Sequence, residues 1–151
     1  MRKTLTGVTL VGGLAMGFIS QWEGKSNKAY LDLVNVPTIC YGETKDVRLG
    51  DVKSDSECTF LLHKEIRRLS DVLVSTTPVI MTNNQRAAII SWMYNVGEGN
   101  FRKSTLRRKL MDGDNIGACR ELLKWVYAGG KRVRGLENRR RAEYDLCISD
   151  D

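Results

Sequence analysis

The sequence predicts an α+β domain that is mostly helical, with one small antiparallel sheet near the N-terminus and a larger helical lobe after it. Three observations predict this. Apolar residues recur at helical spacing over long stretches, first as Cys58, Leu61, Leu62, Ile66 and Leu69, then as Ala87, Ala88, Ile90, Trp92 and Met93. Helix-start signals stand just ahead of both stripes, at Ser54-Asp55-Ser56-Glu57 and at Thr82-Asn83-Asn84-Gln85. A single segment, Tyr30 to Tyr41, reads as short strands about a turn at Asn35 and Pro37.

The elements follow in order. Thr4 to Trp22 is uncharged and rich in Leu, Val, Ile, Met and Phe, with Arg2 and Lys3 ahead of it and Gly7, Gly12, Gly13 and Gly17 within it. About twenty apolar residues can span a bilayer, and the basic pair would stay on the cytoplasmic side. Glycine and threonine dilute the stretch for a permanent anchor. Signal-peptide cleavage near Ala15 or Gly17 would strip off the helix that leads to Glu23. Two readings stand: the first helix of a soluble domain, or a weak anchor that leaves the membrane and then packs as that helix. Being apolar nearly all round, the stretch differs from an ordinary amphipathic surface helix. After the strands, Asp51 to Ser56 is loop, and a helix starting near Ser54 runs until Thr76-Thr77-Pro78 breaks it. The next helix ends at Gly97-Glu98-Gly99-Asn100. A short helix begins at Ser104 or Thr105 and stops near Gly113. Ile116 to Tyr127 is a further helix ended by Gly129-Gly130, and Glu137 to Ile148 is the last.

The 151 residues suffice for one domain with its own core. A 28% charged and 42% apolar composition excludes a disordered chain. The net charge of +6 and sequence pI near 9.3 suit a polyanionic partner such as nucleic acid, anionic lipid or bacterial cell wall, without choosing among them. Much of the excess lies late, from Arg102 to Lys109 and from Lys131 to Arg141. Cys40, Cys58, Cys119 and Cys147 contain no Cys-x-x-Cys pair, and His63 is the only histidine. A zinc site is therefore not indicated. Disulfides suit a protein working outside the cytosol, and the three possible pairings stay open.

The chemistry concentrates between Trp22 and Tyr41. Glu23 follows the apolar stretch, Asp32 stands nine residues on and Thr38 six after that. Cleaving a glycosidic bond needs a proton donor for the leaving oxygen and a second carboxylate for the water or the cationic sugar. A hydroxyl can hold that water. Taken singly, a glutamate at a helix end is a solvated charge and an aspartate before a turn is a cap. Only their combination points to catalysis.

Glu23-Gly24, Ala29-Tyr30-Leu31-Asp32 and Pro37-Thr38-Ile39-Cys40-Tyr41-Gly42-Glu43-Thr44 resemble the active-site region of the phage-type lysozymes. So do Asn83 to Ile89, Tyr94 to Phe101, Ser104-Thr105-Leu106, Trp125 to Gly130 and Gly135 to Glu143, in the family's order over nearly the whole chain. The resemblance is closest to lambdoid-phage endolysins with an N-terminal signal-arrest-release segment. It implies a lysozyme-like fold and a peptidoglycan hydrolase that lyses the host. Its target is the β-1,4 bond between N-acetylmuramic acid and N-acetylglucosamine, cleaved with inversion and without metal or organic cofactor. By the same resemblance, residues 1–22 tether the enzyme to the host inner membrane through residues 4–22. Residues 23–151 form the catalytic domain, and release delivers the chain to the periplasm as a monomer that binds no nucleic acid. Two residues depart from the pattern: Cys40 stands where many relatives have glycine, and Glu43 where many have histidine.

The resemblance makes Glu23 the general acid, in an apolar neighbourhood that Trp22 could supply. Asp32 becomes the ionised partner that stabilises charge or orients water, and Thr38 positions that water. Gln85, Asn95 and Arg139 are candidates for substrate binding. Gln85 also reads as a helix cap, and Arg139 to Arg141 as partners of Glu137 and Glu143 at helical spacing. His63 reads as solvated, and Trp92, Tyr94 and Trp125 as core. Two other functions compete. A lytic transglycosylase would use one glutamate and leave an anhydro sugar. A basic, membrane-tethered or nucleic-acid-binding protein would need no carboxylate pair.

Overall fold

The computed structural model describes the backbone of residues 2–150 and the side chains of residues 10–150. The basic pair Arg2 and Lys3 therefore lies outside the described side chains. Helix α1 (Arg2–Trp22) runs into the hairpin β1 (Ser26–Leu31) and β2 (Pro37–Cys40). A helical lobe follows: α2 (Asp55–Thr76), α3 (Asn83–Val96), α4 (Glu98–Arg102), α5 (Thr105–Met111) and α6 (Asn115–Glu121). A 3₁₀ turn (Leu122–Lys124) leads to the hairpin β3 (Tyr127–Ala128) and β4 (Lys131–Arg132), and α7 (Arg134–Ile148) closes the chain.

The apolar stripes fold as their spacing requires. Helix α2 buries Cys58, Leu62, Ile66, Leu69 and Leu73. Ser54 and Glu57 form a full capping box at its start, each side chain bonded to the other's backbone amide. Thr82 caps α3 by accepting from the Gln85 amide. Helix α3 is the central element, buried from Ala87 to Met93, with α1, α2 and α7 packed around it. Trp92 is fully buried there, with Phe101 and Trp125 edge-on at 6.2 and 5.3 Å.

Helix α1 lies on this core and is an integral part of it. Val11, Ala15 and Ile19, spaced by four residues, are 3% exposed or less, while Leu10 and Leu14 face out. A Cβ placed on Gly12, Gly13 or Gly17 would meet nothing within 4 Å. The folded state thus has no packing need for these glycines. Among the described residues, no helix is long and apolar enough to cross a membrane.

The first hairpin pairs Tyr30 with Thr38 and Leu31 with Pro37, with an irregularity between Ser26 and Tyr30. Its tip turns at Asn35, whose φ is +62°. The two disulfides settle the pairing the sequence leaves open. Cys40–Cys58 ties the end of β2 to the start of α2, and Cys119–Cys147 ties α6 to α7. Cys40 has φ +58°, the left-handed region where a Cβ is unfavourable and glycine is at ease.

Four element boundaries are corrected. The helix expected over Ile116 to Tyr127 stops at Glu121, because the chain tightens and turns out at Trp125 to set its ring against Trp92. Gly129 and Gly130, both at positive φ, form the two-residue turn of the β3–β4 hairpin and do not cap a helix. Gly97-Glu98-Gly99-Asn100 ends α3 but also starts α4, where Phe101 is buried and Glu98 bridges Arg68 at 2.5 Å and Arg102 at 2.9 Å. The last helix begins at Arg134, ahead of Glu137.

Candidate active site

Glu23 sits just past the last turn of α1, its amide bonded to the Ile19 carbonyl at 2.9 Å. Its side chain is 22% exposed. Arg139 Nη1 of α7 donates to Glu23 Oε1 at 2.7 Å. On the other side is the turn after β2, where a Cβ on Gly42 would stand 3.8 Å from Glu23 Oε2. Gly42 has φ +88°, so glycine serves both the turn and this approach. No protein donor among the described residues bonds Oε2. The neighbourhood is therefore not the purely apolar one expected from Trp22: the nearest charged group is a guanidinium, itself only 5% exposed.

Asp32 and Thr38 belong to the hairpin. Asp32 Oδ1 accepts the amides of Val34 and Val36 at 2.9 Å each, and the Asp32 backbone closes the turn with Val36 and Asn35 at 3.0 Å. This aims the carboxylate by main-chain bonds alone and leaves Oδ2 without a protein donor among the described residues. Thr38 is 4% exposed and donates through Oγ1 to the Val36 carbonyl at 2.9 Å, so its lone pairs remain for a water. One turn, Asp32 to Val36, thus orients both groups.

The hairpin is docked to the core next to Glu23. The Tyr94 hydroxyl of α3 donates to the Tyr41 carbonyl at 2.5 Å. Burial pushes that phenol up from its ordinary value, helped by the nearby charges of Glu43, Glu23 and Glu65, so it stays a donor. Glu43 exchanges backbone bonds with Ile39 at 2.9 Å, and its Oε1 is buried without a partner. Burial first, then Glu65, pushes its carboxyl up from the ordinary value.

Behind Glu23 lies a buried polar chain. Arg139 contacts Glu143 Oε2 at 3.3 Å, and its Nη2 donates to the Ser91 carbonyl at 3.2 Å. The Ser91 hydroxyl donates to Glu143 Oε2 at 2.6 Å. Arg140, fully buried, faces Glu143 Oε1 at 3.2 Å and donates to Asn95 Oδ1. Burial lowers the Arg140 guanidinium to about 10, and burial raises the Glu143 carboxyl against the opposing pull of Arg140, Ser91 and Arg139.

The candidates separate accordingly. Arg139 touches Glu23. Asn95 holds Arg140 beneath the site. Gln85 is 3% exposed in the first turn of α3, facing Asn115 at 3.5 Å. Glu137 pairs with Arg132, and Glu143 takes both arginines. His63 and Arg141 are exposed, and Trp92 is core. Tyr94 and Trp125 are only partly buried beside that core. The roles of Tyr94, Ser91 and Glu143 are additions of the structure. The i, i+4 spacing of Arg139 and Glu143 was the one signal in the sequence for this chain. Among the described residues no group of three or more His, Cys, Asp or Glu side chains is placed to hold a metal. A separate open pocket of about 460 Å³ lies between α5 and Trp125, lined by Thr105, Leu106, Glu121, Lys124 and Tyr127, and contains none of the three candidate catalytic groups.

A helical lobe carrying a small hairpin, with a carboxylate on the lobe and another on the hairpin, is the plan of a glycoside hydrolase of the lysozyme class. Known proteins agree. A model of the phage lysozyme family matches residues 20–143. A SAR-endolysin of bacteriophage PS119 is 44% identical over 127 residues, 83% of this chain and 76% of that protein. A P22 lysozyme variant superposes with a TM-score of 0.80 at 29% identity, covering 89% of this chain and 95% of that one. The active form of the P1 phage endolysin Lyz gives 0.82 at 22% identity over 95% and 92% of the two chains. The secreted inactive form of that endolysin gives only 0.55 over 69% and 74%, at the same identity. The chain belongs to the phage lysozyme family: it is a phage-type lysozyme that acts on the bacterial cell wall, and its fold follows the active form of the P1 enzyme.

Proposed function

We propose that this enzyme hydrolyses the β-1,4 bond between N-acetylmuramic acid and N-acetylglucosamine, with Glu23 as general acid, Asp32 as the charge-stabilising and water-orienting carboxylate, and Thr38 as the group that positions the water. The carrying observation is the placement of Glu23 beside Gly42 and Arg139, at the meeting of α1, the hairpin and α7. Its Oε2 is free of protein donors among the described residues and can give a proton to the leaving oxygen. Water held by Thr38 and Asp32 attacks the anomeric carbon as that bond breaks. The proton passes from Glu23 to the departing sugar, and the water's proton passes to Asp32 or solvent.

We further propose that residues 1–22 first tether the chain to the host inner membrane, with residues 23–151 in the periplasm, and that release lets α1 join the fold. The glycines support this. Each costs a helix interior about 1 kcal/mol relative to alanine, and none of Gly12, Gly13 and Gly17 has a packing reason in the folded state. Their use lies in a second state, where low hydrophobicity lets the segment leave lipid. The relatives called SAR-endolysins support the same reading. While α1 lies in lipid, Glu23 cannot take its place opposite Asp32, so the tethered enzyme is inactive.

The test is turbidity loss of permeabilised Gram-negative cells together with end-group analysis of digested peptidoglycan. Glu23→Gln and Asp32→Asn should each lose at least about a hundredfold in rate, in the range that positioned acid–base groups supply. Reducing N-acetylmuramic ends should accumulate with the unmodified enzyme. Anhydromuramyl ends would mean a lytic transglycosylase. Full activity of Glu23→Gln would remove the site assignment.

A further inference from the structure

A general acid that is ion-paired to an arginine presents a contradiction. Arg139 approaches Glu23 at 2.7 Å, so a fixed positive charge stands against the group read as the acid. The arginine cannot relax into water, because it is 5% exposed and pinned by the Ser91 carbonyl. Something buried must share its charge, and Glu143 is the only carboxylate other than Glu23 that it contacts among the described residues.

We propose that Glu143 is a positioning residue for the catalytic acid, whose buried carboxylate holds the Arg139 guanidinium in place and offsets its charge, so that Glu23 can carry a proton in the working enzyme. The inference rests on the reading of Glu23 as general acid. Its geometry is a chain of alternating charge: Glu23, Arg139, Glu143, Arg140. Glu143 is 0% exposed, so it has no solvating role. Both its oxygens face inward: Oε2 bonds Ser91 at 2.6 Å and Arg139 at 3.3 Å, and Oε1 lies 3.2 Å from Arg140 as an ion pair without hydrogen-bond geometry. With all four members ionised the chain is neutral, and protonation of Glu23 leaves one net positive charge. Removing the charge of Glu143 would leave two, in a site where water screens little.

Charged and polar groups from every neighbouring element face the pair. From α7 come Arg139 and Arg140. From α3 come Ser91, Asn95 through Arg140, and Tyr94. From the turn after β2 comes Glu43, and from α2 Glu65, both acting on the same tyrosine as Glu23. Glu43 and Glu65 add to the negative side, but neither contacts Arg139. The Glu143 carboxylate is the one that acts on the guanidinium directly.

The test is the pH dependence of kcat and of kcat/KM on soluble peptidoglycan fragments, in the full chain. Glu143→Gln keeps the size and the acceptor for Ser91 but removes the charge. Its alkaline limb should move down by about one pH unit, the scale of an uncompensated neighbouring charge, with kcat at neutral pH falling more than KM changes. Arg140→Gln removes the competing cation, so its limb should move up. Glu143→Gln/Arg140→Gln should return toward the original position. A Glu143→Gln enzyme whose activity drops evenly at every pH, with both limbs in place, would overturn the proposal in favour of a purely structural role. If Glu143→Gln does not fold, Arg140→Gln decides alone, and an unmoved or lowered limb overturns the idea. Loss of activity in Glu23→Gln separates this outcome from failure of the general-acid assignment, because that loss does not depend on Glu143.

Discussion

Cys40 combines two opposing effects in one residue, and the structure allows both to be sized. Its disulfide to Cys58 closes a segment of 18 residues and joins the strand that carries Thr38 to the first turn of α2. Loop-closure entropy for that length gives about 3 kcal/mol. Against this, φ at Cys40 is +58°, a conformation that costs a non-glycine residue about 1 kcal/mol. For 151 residues the unfolding entropy near the midpoint is about 0.3 kcal/mol per kelvin. Cys40→Ala/Cys58→Ala should therefore lower the midpoint of thermal unfolding by about 10 °C. Cys40→Gly/Cys58→Ala loses the same bridge but relieves the backbone, and should recover about 3 °C of that. The assay is circular dichroism against temperature, with mass spectrometry to verify that Cys119–Cys147 stays closed. A double-alanine variant melting with the parent would refute the loop-closure argument. A glycine variant no more stable than the alanine one would refute the strain argument.

The remaining predictions are shorter. Ser54→Ala breaks the capping box of α2 and should cost about 1 kcal/mol by chemical denaturation, with no change in the slope of the transition. Trp92→Ala empties the centre of the core between Phe101 and Trp125 and should cost about 3–5 kcal/mol, measured the same way. Glu121 is 3% exposed; burial alone would raise its carboxyl, but hydrogen bonds from Lys124 and Lys109 outweigh that and hold it below the ordinary value. A depressed folded-state value stabilises above the unfolded one and is lost as pH falls through it. Glu121→Gln should accordingly lower stability at neutral pH, with the difference from the parent vanishing as pH drops below about 4. Gly13→Ala and Gly17→Ala should each stabilise the folded enzyme by about 1 kcal/mol. Gly13→Leu/Gly17→Leu should leave more of the chain in the membrane fraction of expressing cells, and equal partitioning would count against the glycines as the release device.

Much of the architecture is legible locally because its causes are local. The capping box of Ser54 and Glu57, the cap at Thr82 and the four-residue spacing along α2 involve groups a turn apart, so the sequence contains them whole. The same holds for Asp32 and Thr38. One five-residue hairpin turn orients both through main-chain bonds, and their spacing is therefore already a geometry. Helix α6 departs from its spacing because its limiting contact is not local. Its apolar spacing continues through Trp125, but the ring's place against Trp92 is a contact 33 residues away, and it overrides local helical preference.

What only the tertiary structure decided is the setting of Glu23. The sequence by itself marks a glutamate after an apolar helix, and an arginine next to other arginines near the C-terminus. It cannot join them across 116 residues, because an ion pair leaves no periodicity in the chain. Nor can it rank three cysteine pairings, since each is compatible with the same composition, whereas packing brings Cys40 to Cys58 and Cys119 to Cys147. The first helix shows the division most plainly. Its apolar residues do not by themselves say where they pack, and only the fit of Val11, Ala15 and Ile19 against the core makes it the helix that carries Glu23 to its partner.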